Sequence, residues 1–152
     1  MSKNSLKLNG SYYLTTPIST NMPNQTIEFY VKILDISINN AIIGKGLTSS
    51  DSNDELCIAI TGGLLYIDTS GSSTAQCIQI PNAIVANEWY HIAVTKANDL
   101  NLNVYINGVL KASANINTIT NSLPIIIGRI NRMTTCNCLI DEIRLWNITR
   151  TQ

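Results

Sequence analysis

Carboxylates that work in pairs are the first chemistry to look for in this sequence. Cleaving a glycosidic bond with retention needs two carboxyl groups about 5 to 5.5 Å apart across a cleft, which a strand supplies at i, i+2 or i, i+4 spacing. Glu28 stands alone in its segment, TIEFYVKI; Asp141 and Glu142 are neighbours, which a regular strand sends to opposite faces; Asp51, Asp54 and Glu55 fall in or beside the polar stretch GKGLTSSDSND. The pattern is missing. The single histidine, His91, sits mid-segment in WYHIAVTK, where alternation groups it with Trp89, Ala93 and Thr95. That is the setting of a hydrogen-bonded structural histidine rather than a base. No Gly-x-Ser-x-Gly elbow or glycine-rich phosphate loop occurs. The chain is therefore expected to be no enzyme and to have no catalytic residues.

Metal binding has two places to consider. Asp51-Ser52-Asn53-Asp54-Glu55 offers three carboxylates and an amide in a short loop, oxygen ligands of the kind calcium takes about six to eight of; the plain alternative is a solvated turn. Strict alternation puts Asp141 on the side of Ile143 and Leu145, where an ionised carboxylate must be paired, accept amide hydrogen bonds or ligate a metal. Asp141, Asp51 and Asp54 are thus the metal candidates, with calcium the one cofactor in view and none required. The four cysteines are Cys57, Cys77, Cys136 and Cys138. Cys136-x-Cys138 reads as too tight for an easy disulfide, and the paired Cys-x-x-Cys spacing of structural zinc is missing. Cys57 and Cys77 lie in separate strand segments and could meet across a sheet, but free buried thiols are the expected state. For stacking on sugars, Tyr12-Tyr13, Tyr66 and Tyr105 lie on polar faces or near turns, with Arg129 and Arg132 following the run PIIIGR. Tyr66, Tyr105, Arg129 and Arg132 form the expected ligand-binding set.

The elements that must carry these residues are strands. From Glu88 to Ala112 the chain reads EWYHIAVTKANDLNLNVYINGVLKA, in which Leu100, Leu102, Val104 and Ile106 alternate with Asn101, Asn103 and Tyr105, the period of two of a half-buried strand. Asn107-Gly108 supplies the positive φ angles of a two-residue type I′ turn, so Ile106 should face Val109 and Tyr105 should face Leu110. TIEFYVKI alternates likewise, with Ile27, Phe29, Val31 and Ile33 on one side and Glu28 on the wetter one. Thr61-Gly62-Gly63 marks a second hairpin, Asn39-Asn40 a turn, and Pro17 to Pro23 a loop. The last strand, CLIDEIRLWN, is expected to place Ile140, Glu142, Arg144 and Trp146 together, opposite Asp141, Ile143 and Leu145. No window has a helical period with start and stop signals, and many short strands without helices describe a two-sheet sandwich or barrel.

Trp89 followed by HIAVTK, a polar loop and then LNVYINGV resembles the central signature of the concanavalin A-like superfamily, in its laminin G-like and pentraxin-like branch. SLKLNGSYYL and TIEFYVKI are similar to the opening strands of such domains, and PIIIGR and LIDEIRLWNITRTQ to the closing ones. The resemblance implies an all-β fold, a two-sheet antiparallel sandwich of jelly-roll topology, with residues 1–152 as one domain. In several branches an acidic residue in the closing strand holds a structural calcium with backbone carbonyls near the first strand. This implies Asp141 with carbonyls around Asn9 and Gly10, although Leu8 stands where relatives often carry an acid. Trp89 and Trp146 match positions usually packed in relatives. The glucanase pattern Glu-x-Asp-x-x-Glu is missing.

Lysine plus arginine and aspartate plus glutamate number 10 each, so the net charge is zero and only 13% of residues are charged. This excludes an extended basic footprint for nucleic acid or an anionic membrane. The N-terminal MSKNSLKLNG lacks an apolar run after its lysines, so neither a signal peptide nor membrane insertion is expected. Abundant Asn, Ser and Thr suit hydrogen bonding to sugars or a protein surface. The expected function is a non-catalytic recognition or adhesion module that binds a glycan or a protein through edge loops, outside a cell or on a virion. The alternative is a virion structural protein, a capsid decoration or tail-associated phage subunit that docks on viral proteins and forms homo-oligomers; a glycoside hydrolase comes third.

Overall fold

The computed structural model describes residues 4–19, 24–45, 56–68, 77–97, 101–115, 123–130 and 136–151. Among them are twelve strands: β1 (Leu6–Asn9), β2 (Leu14–Ser19), β3 (Gln25–Ile33), β4 (Asn39–Lys45), β5 (Leu56–Thr61), β6 (Leu64–Asp68), β7 (Cys77–Ile80), β8 (Trp89–Lys96), β9 (Asn101–Ile106), β10 (Val109–Asn115), β11 (Pro124–Ile127) and β12 (Asn137–Trp146). They form two six-stranded sheets, ordered β1-β12-β3-β8-β9-β10 and β2-β11-β4-β5-β6-β7. Every pairing is antiparallel. The fold is an antiparallel jelly-roll sandwich, as the strand pattern and the resemblance imply.

Alternation decides what lies between the sheets. Ile27, Phe29, Val31 and Ile33 of β3 and Leu102, Val104 and Ile106 of β9 meet Ile58, Ile60, Leu65 and Ile67 of the second sheet in one buried cluster. Burying one such side chain stabilises the fold by about 1.5–3 kcal/mol, against roughly 0–1 for an exposed ion pair. The aliphatic core therefore holds the sandwich together, and charged groups on its outer faces contribute little to its cohesion. The Asn107-Gly108 hairpin forms in the expected register, Ile106 opposite Val109 and Tyr105 opposite Leu110, with φ of 51° and 78° at the two turn residues. The Asn107 carboxamide oxygen also accepts the His91 amide at 2.9 Å, tying the turn back to β8. Thr61 and Leu64 likewise close a two-residue turn over Gly62-Gly63.

Four expectations are corrected. Asn39-Asn40 is no turn but the start of β4; the turn lies just before it, where Asp35 accepts hydrogen bonds from the amide and hydroxyl of Ser37 and the Asn40 side chain caps the carbonyls of Asp35 and Ile38. Pro17 lies within β2; β2 is an edge strand, where a missing N–H goes unneeded. Cys57 and Cys77 cannot meet, because each is in register with Asp68 of the strand between them, and two strand spacings, about 9–10 Å, exceed a disulfide's reach. Finally, β12 carries a bulge: Asp141 is opposite Tyr30 and Arg144 opposite Glu28, so Glu142 and Ile143 together span the place of Phe29 in β3. The extra residue shifts the alternation by one, so Asp141 lies on the outer face with Arg144, while Ile143 and Leu145 pack against the core. Strict alternation had set Asp141 with Ile143 and Leu145.

Candidate functional site

The bulge gathers acidic, basic and aromatic side chains at one place on the described surface. Glu142 takes φ 52° there, a left-handed conformation that is uncommon for a residue with a side chain and is often found where a strand re-aims its groups. Its amide donates to the Asp141 carboxylate at 2.9 Å. Asp141, Glu142 and Arg144 together with Tyr30 line an open depression of about 410 Å³.

Under the wall of this depression lies Glu28, on the outer face but only 7% exposed. One carboxylate oxygen accepts the Trp146 indole N–H at 3.1 Å and an Arg150 guanidinium N–H at 3.0 Å, with Arg144 Nη1 at 3.6 Å. The other is 3.8 Å from His91 Nε2. Arg144 pairs with Glu142 through its second terminal nitrogen, so one guanidinium stands between Glu28 and Glu142. Arg150 lies over the Trp146 ring at 4.3 Å. The segment that brings it back is fixed by the Thr26 hydroxyl, which donates to the Ile148 carbonyl and accepts the Arg150 amide. The His91 ring is 4.9 Å from that of Tyr30. His91 thus sits in this cluster beside Glu28 and Tyr30, and Trp146 is a partly exposed outer-face residue.

Within the expected ligand set, Tyr66 and Tyr105 are held apart. Tyr105 lies on the outer face of the first sheet, since Val104 and Ile106 point inward; Tyr66 lies on the outer face of the second, since Leu65 and Ile67 do. Tyr66 is also engaged. Its hydroxyl donates to Asp68 at 3.0 Å, and its ring packs on Ala41, Cys57, Ala59 and Ile130. Burial, a hydrogen bond with the Cys77 thiol and the Asp68 carboxylate push its phenol well above its ordinary range. Arg129 stacks over the Tyr13 ring at 5.1 Å, because Gly128, at φ 87°, turns the chain out of β11. Tyr12, next to Tyr13 in sequence, is 72% exposed. Arg132, Asp51 and Asp54 lie outside the described residues. The Asn9-Gly10 turn stands by Asn137, while Leu6 is the residue opposite Ile140; the carbonyls invoked for a calcium at Asp141 are thus about four residues away along β12. Among the described residues no three His, Cys, Asp or Glu side chains gather as a metal cluster.

Sequence reasoning found Glu28 and Asp141 separately and missed Tyr30, Arg144 and Arg150. Glu28 and Tyr30 on one strand face were the available signal; the bulge that completes the site left none. A second depression, also about 410 Å³, lies between the sheets near Pro81, Tyr90, Asn107, Val109 and Lys111, with a single charged group.

Known structures share this architecture. The botulinum neurotoxin serotype D binding domain superposes with a TM-score of 0.73 at 18% identity, over 97% of this chain and 40% of that one. A mutant of the NanB sialidase from Streptococcus pneumoniae gives 0.81 at 17% identity, over 97% and 26%. The binding domain of Paraclostridial Mosquitocidal Protein 1 gives 0.70 at 17% identity, over 97% and 41%. This chain thus spans well under half the length of each, and at these identities the likeness is one of fold. No curated protein matches it in sequence. Among the described residues no helix is long and apolar enough to cross a membrane. A laminin G family model matches residues 8–152, and with that coverage the chain belongs to the concanavalin A-like lectin/glucanases superfamily.

Proposed function

We propose that this protein is a non-catalytic recognition module that binds a neutral glycan in the depression beside Tyr30. The observation that carries the reading is the bulge of β12, which turns Asp141, Glu142 and Arg144 outward around one aromatic ring. Carboxylates accept and a guanidinium donates hydrogen bonds to sugar hydroxyls, while a tyrosine face suits the apolar C–H side of a pyranose; a few placed polar groups around an aromatic surface are what small-ligand sites use. The lining has two carboxylates, and its one guanidinium is already paired with Glu28 and Glu142. A sugar bearing its own carboxylate would have to displace those pairs, so an uncharged glycan fits better.

The same contacts argue against hydrolysis. Glu28 is occupied by the indole and two guanidinium groups, and the Arg144 guanidinium stands between it and Glu142 where a glycosidase needs an open gap. That toxin binding domains share the fold is consistent with recognition, and such a module would work where glycans are displayed, outside a cell or on a particle. Screening on an array of neutral and anionic glycans, followed by calorimetry, tests the reading. A neutral glycan should bind wild type, and Tyr30→Ala should weaken it at least about tenfold, or ~1.4 kcal/mol, with an unchanged circular dichroism spectrum. An array without neutral binders, or a Tyr30→Ala variant of undiminished affinity, would overturn it.

A further inference from the structure

Cys136 and Cys138 have no part in the recognition site, yet their placement is chemically specific. Both are fully buried in the main core, turned the same way because residues two apart on an extended chain share a side. Their Sγ atoms stand 2.8 Å apart, within about 0.8 Å of the bonded distance in a disulfide. The expectation that Cys-x-Cys is too tight for a bridge thus meets a geometry in which the two sulfurs already touch. Cys57 and Cys77 are held apart by β6.

We propose that Cys136 and Cys138 form a paired dithiol that closes to an intrachain disulfide in the folded protein when a small-molecule disulfide is supplied. One thiol loses its proton and attacks a sulfur of the reagent, R–S–S–R, releasing RS⁻ and leaving a mixed disulfide. The second cysteine, deprotonated in turn, attacks the protein sulfur of that intermediate and releases the other RS⁻. One reagent S–S bond breaks, one protein S–S bond forms, two electrons pass to the reagent, and the two protons end on two RSH molecules. The hydrogen bond that Cys136 shares with Cys138, with burial, holds the Cys136 thiol well above its ordinary range, so thiolate is scarce and closure takes on the order of minutes to hours. The bridge spans too few residues to gain much chain entropy. Its effect is local: Cys138 is in register with Leu8 and Ile33, so the bond fixes the chain as it enters the strand that carries the bulge.

The test is a peptide map. Fully reduced native protein is held with oxidised glutathione without denaturant, then unfolded, alkylated with N-ethylmaleimide and digested with trypsin. Cleavage after Arg132 and Arg144 leaves both thiols on the peptide Met133–Arg144, with Cys57 and Cys77 elsewhere. The expected product is this peptide without alkylation and lighter by two hydrogens than its reduced form. The Cys57→Ala/Cys77→Ala double variant should give the same product, and Cys136→Ala should leave Cys138 alkylated or joined to glutathione. A wild-type peptide carrying two alkyl or two glutathione groups, or one bridged to Cys57 or Cys77, would overturn the proposal without reference to any variant.

Discussion

Tyr66 illustrates how far a single residue can be read from its neighbours in sequence. Its outward position is legible, because Leu65 and Ile67 flank it and must point inward. Its availability is only half legible: Asp68, the acceptor of its hydroxyl, is two residues along the same strand, but Cys77 and Ile130, which also meet its hydroxyl and ring, arrive from other parts of the fold. The contacts have a consequence in alkali. Burial, then the Cys77 thiol and Asp68, favour the neutral phenol in the folded chain, so the unfolded chain releases that proton first, near its ordinary pKa of about 10. The stabilisation is complete below that pH and declines as pH rises through the folded value. Urea unfolding followed between about pH 8 and 11 should show a smaller decline for Tyr66→Phe than for wild type. Part of the decline will remain, since burial also raises the Tyr90 phenol and Cys138 and burial raise the Cys136 thiol.

Among the elements, the hairpin at Asn107-Gly108 and the bulge in β12 mark the two ends of legibility. The hairpin is written in its turn residues, since Asn-Gly is what the required backbone angles select, and the register follows by counting. The bulge has no such marker. CLIDEIRLW alternates acceptably in either phase, and what selects the observed one is the joint demand that Cys138 and Ile140 before the bulge, and Ile143 and Leu145 after it, all face inward. The demand comes from the opposing sheet and is invisible within the strand. The left-handed backbone at Glu142 gives a test of the element itself. A β-branched side chain tolerates φ near 52° much worse than glycine does, so Glu142→Val should be less stable than Glu142→Gly by about 1–2 kcal/mol in chemical denaturation. Equal stabilities would mean that the strand can relax out of the bulge.

At the scale of the whole molecule, cohesion and the proposed recognition site lie on different surfaces. The core between the sheets is aliphatic, while Glu28, Asp141, Glu142, Arg144 and Arg150 lie on an outer face, and the chain carries no net charge. Association with an uncharged ligand should therefore ignore ionic strength: affinity should change less than about two-fold between low and physiological salt, over which charges at the surface become screened beyond about 8 Å. A steep salt dependence would mean a charged ligand.

The separation also makes the site a detachable addition. In β12 the pairing of Asp141 with Tyr30 and of Arg144 with Glu28 leaves Glu142 as the supernumerary residue, so striking out its codon would restore an uninterrupted ladder with every inward side chain still inward. Such a deletion should leave a protein that refolds reversibly but no longer retains the glycan on an affinity column. A lineage carrying the plain sandwich could thus gain or discard the proposed specificity by a three-nucleotide change, without renegotiating the interior.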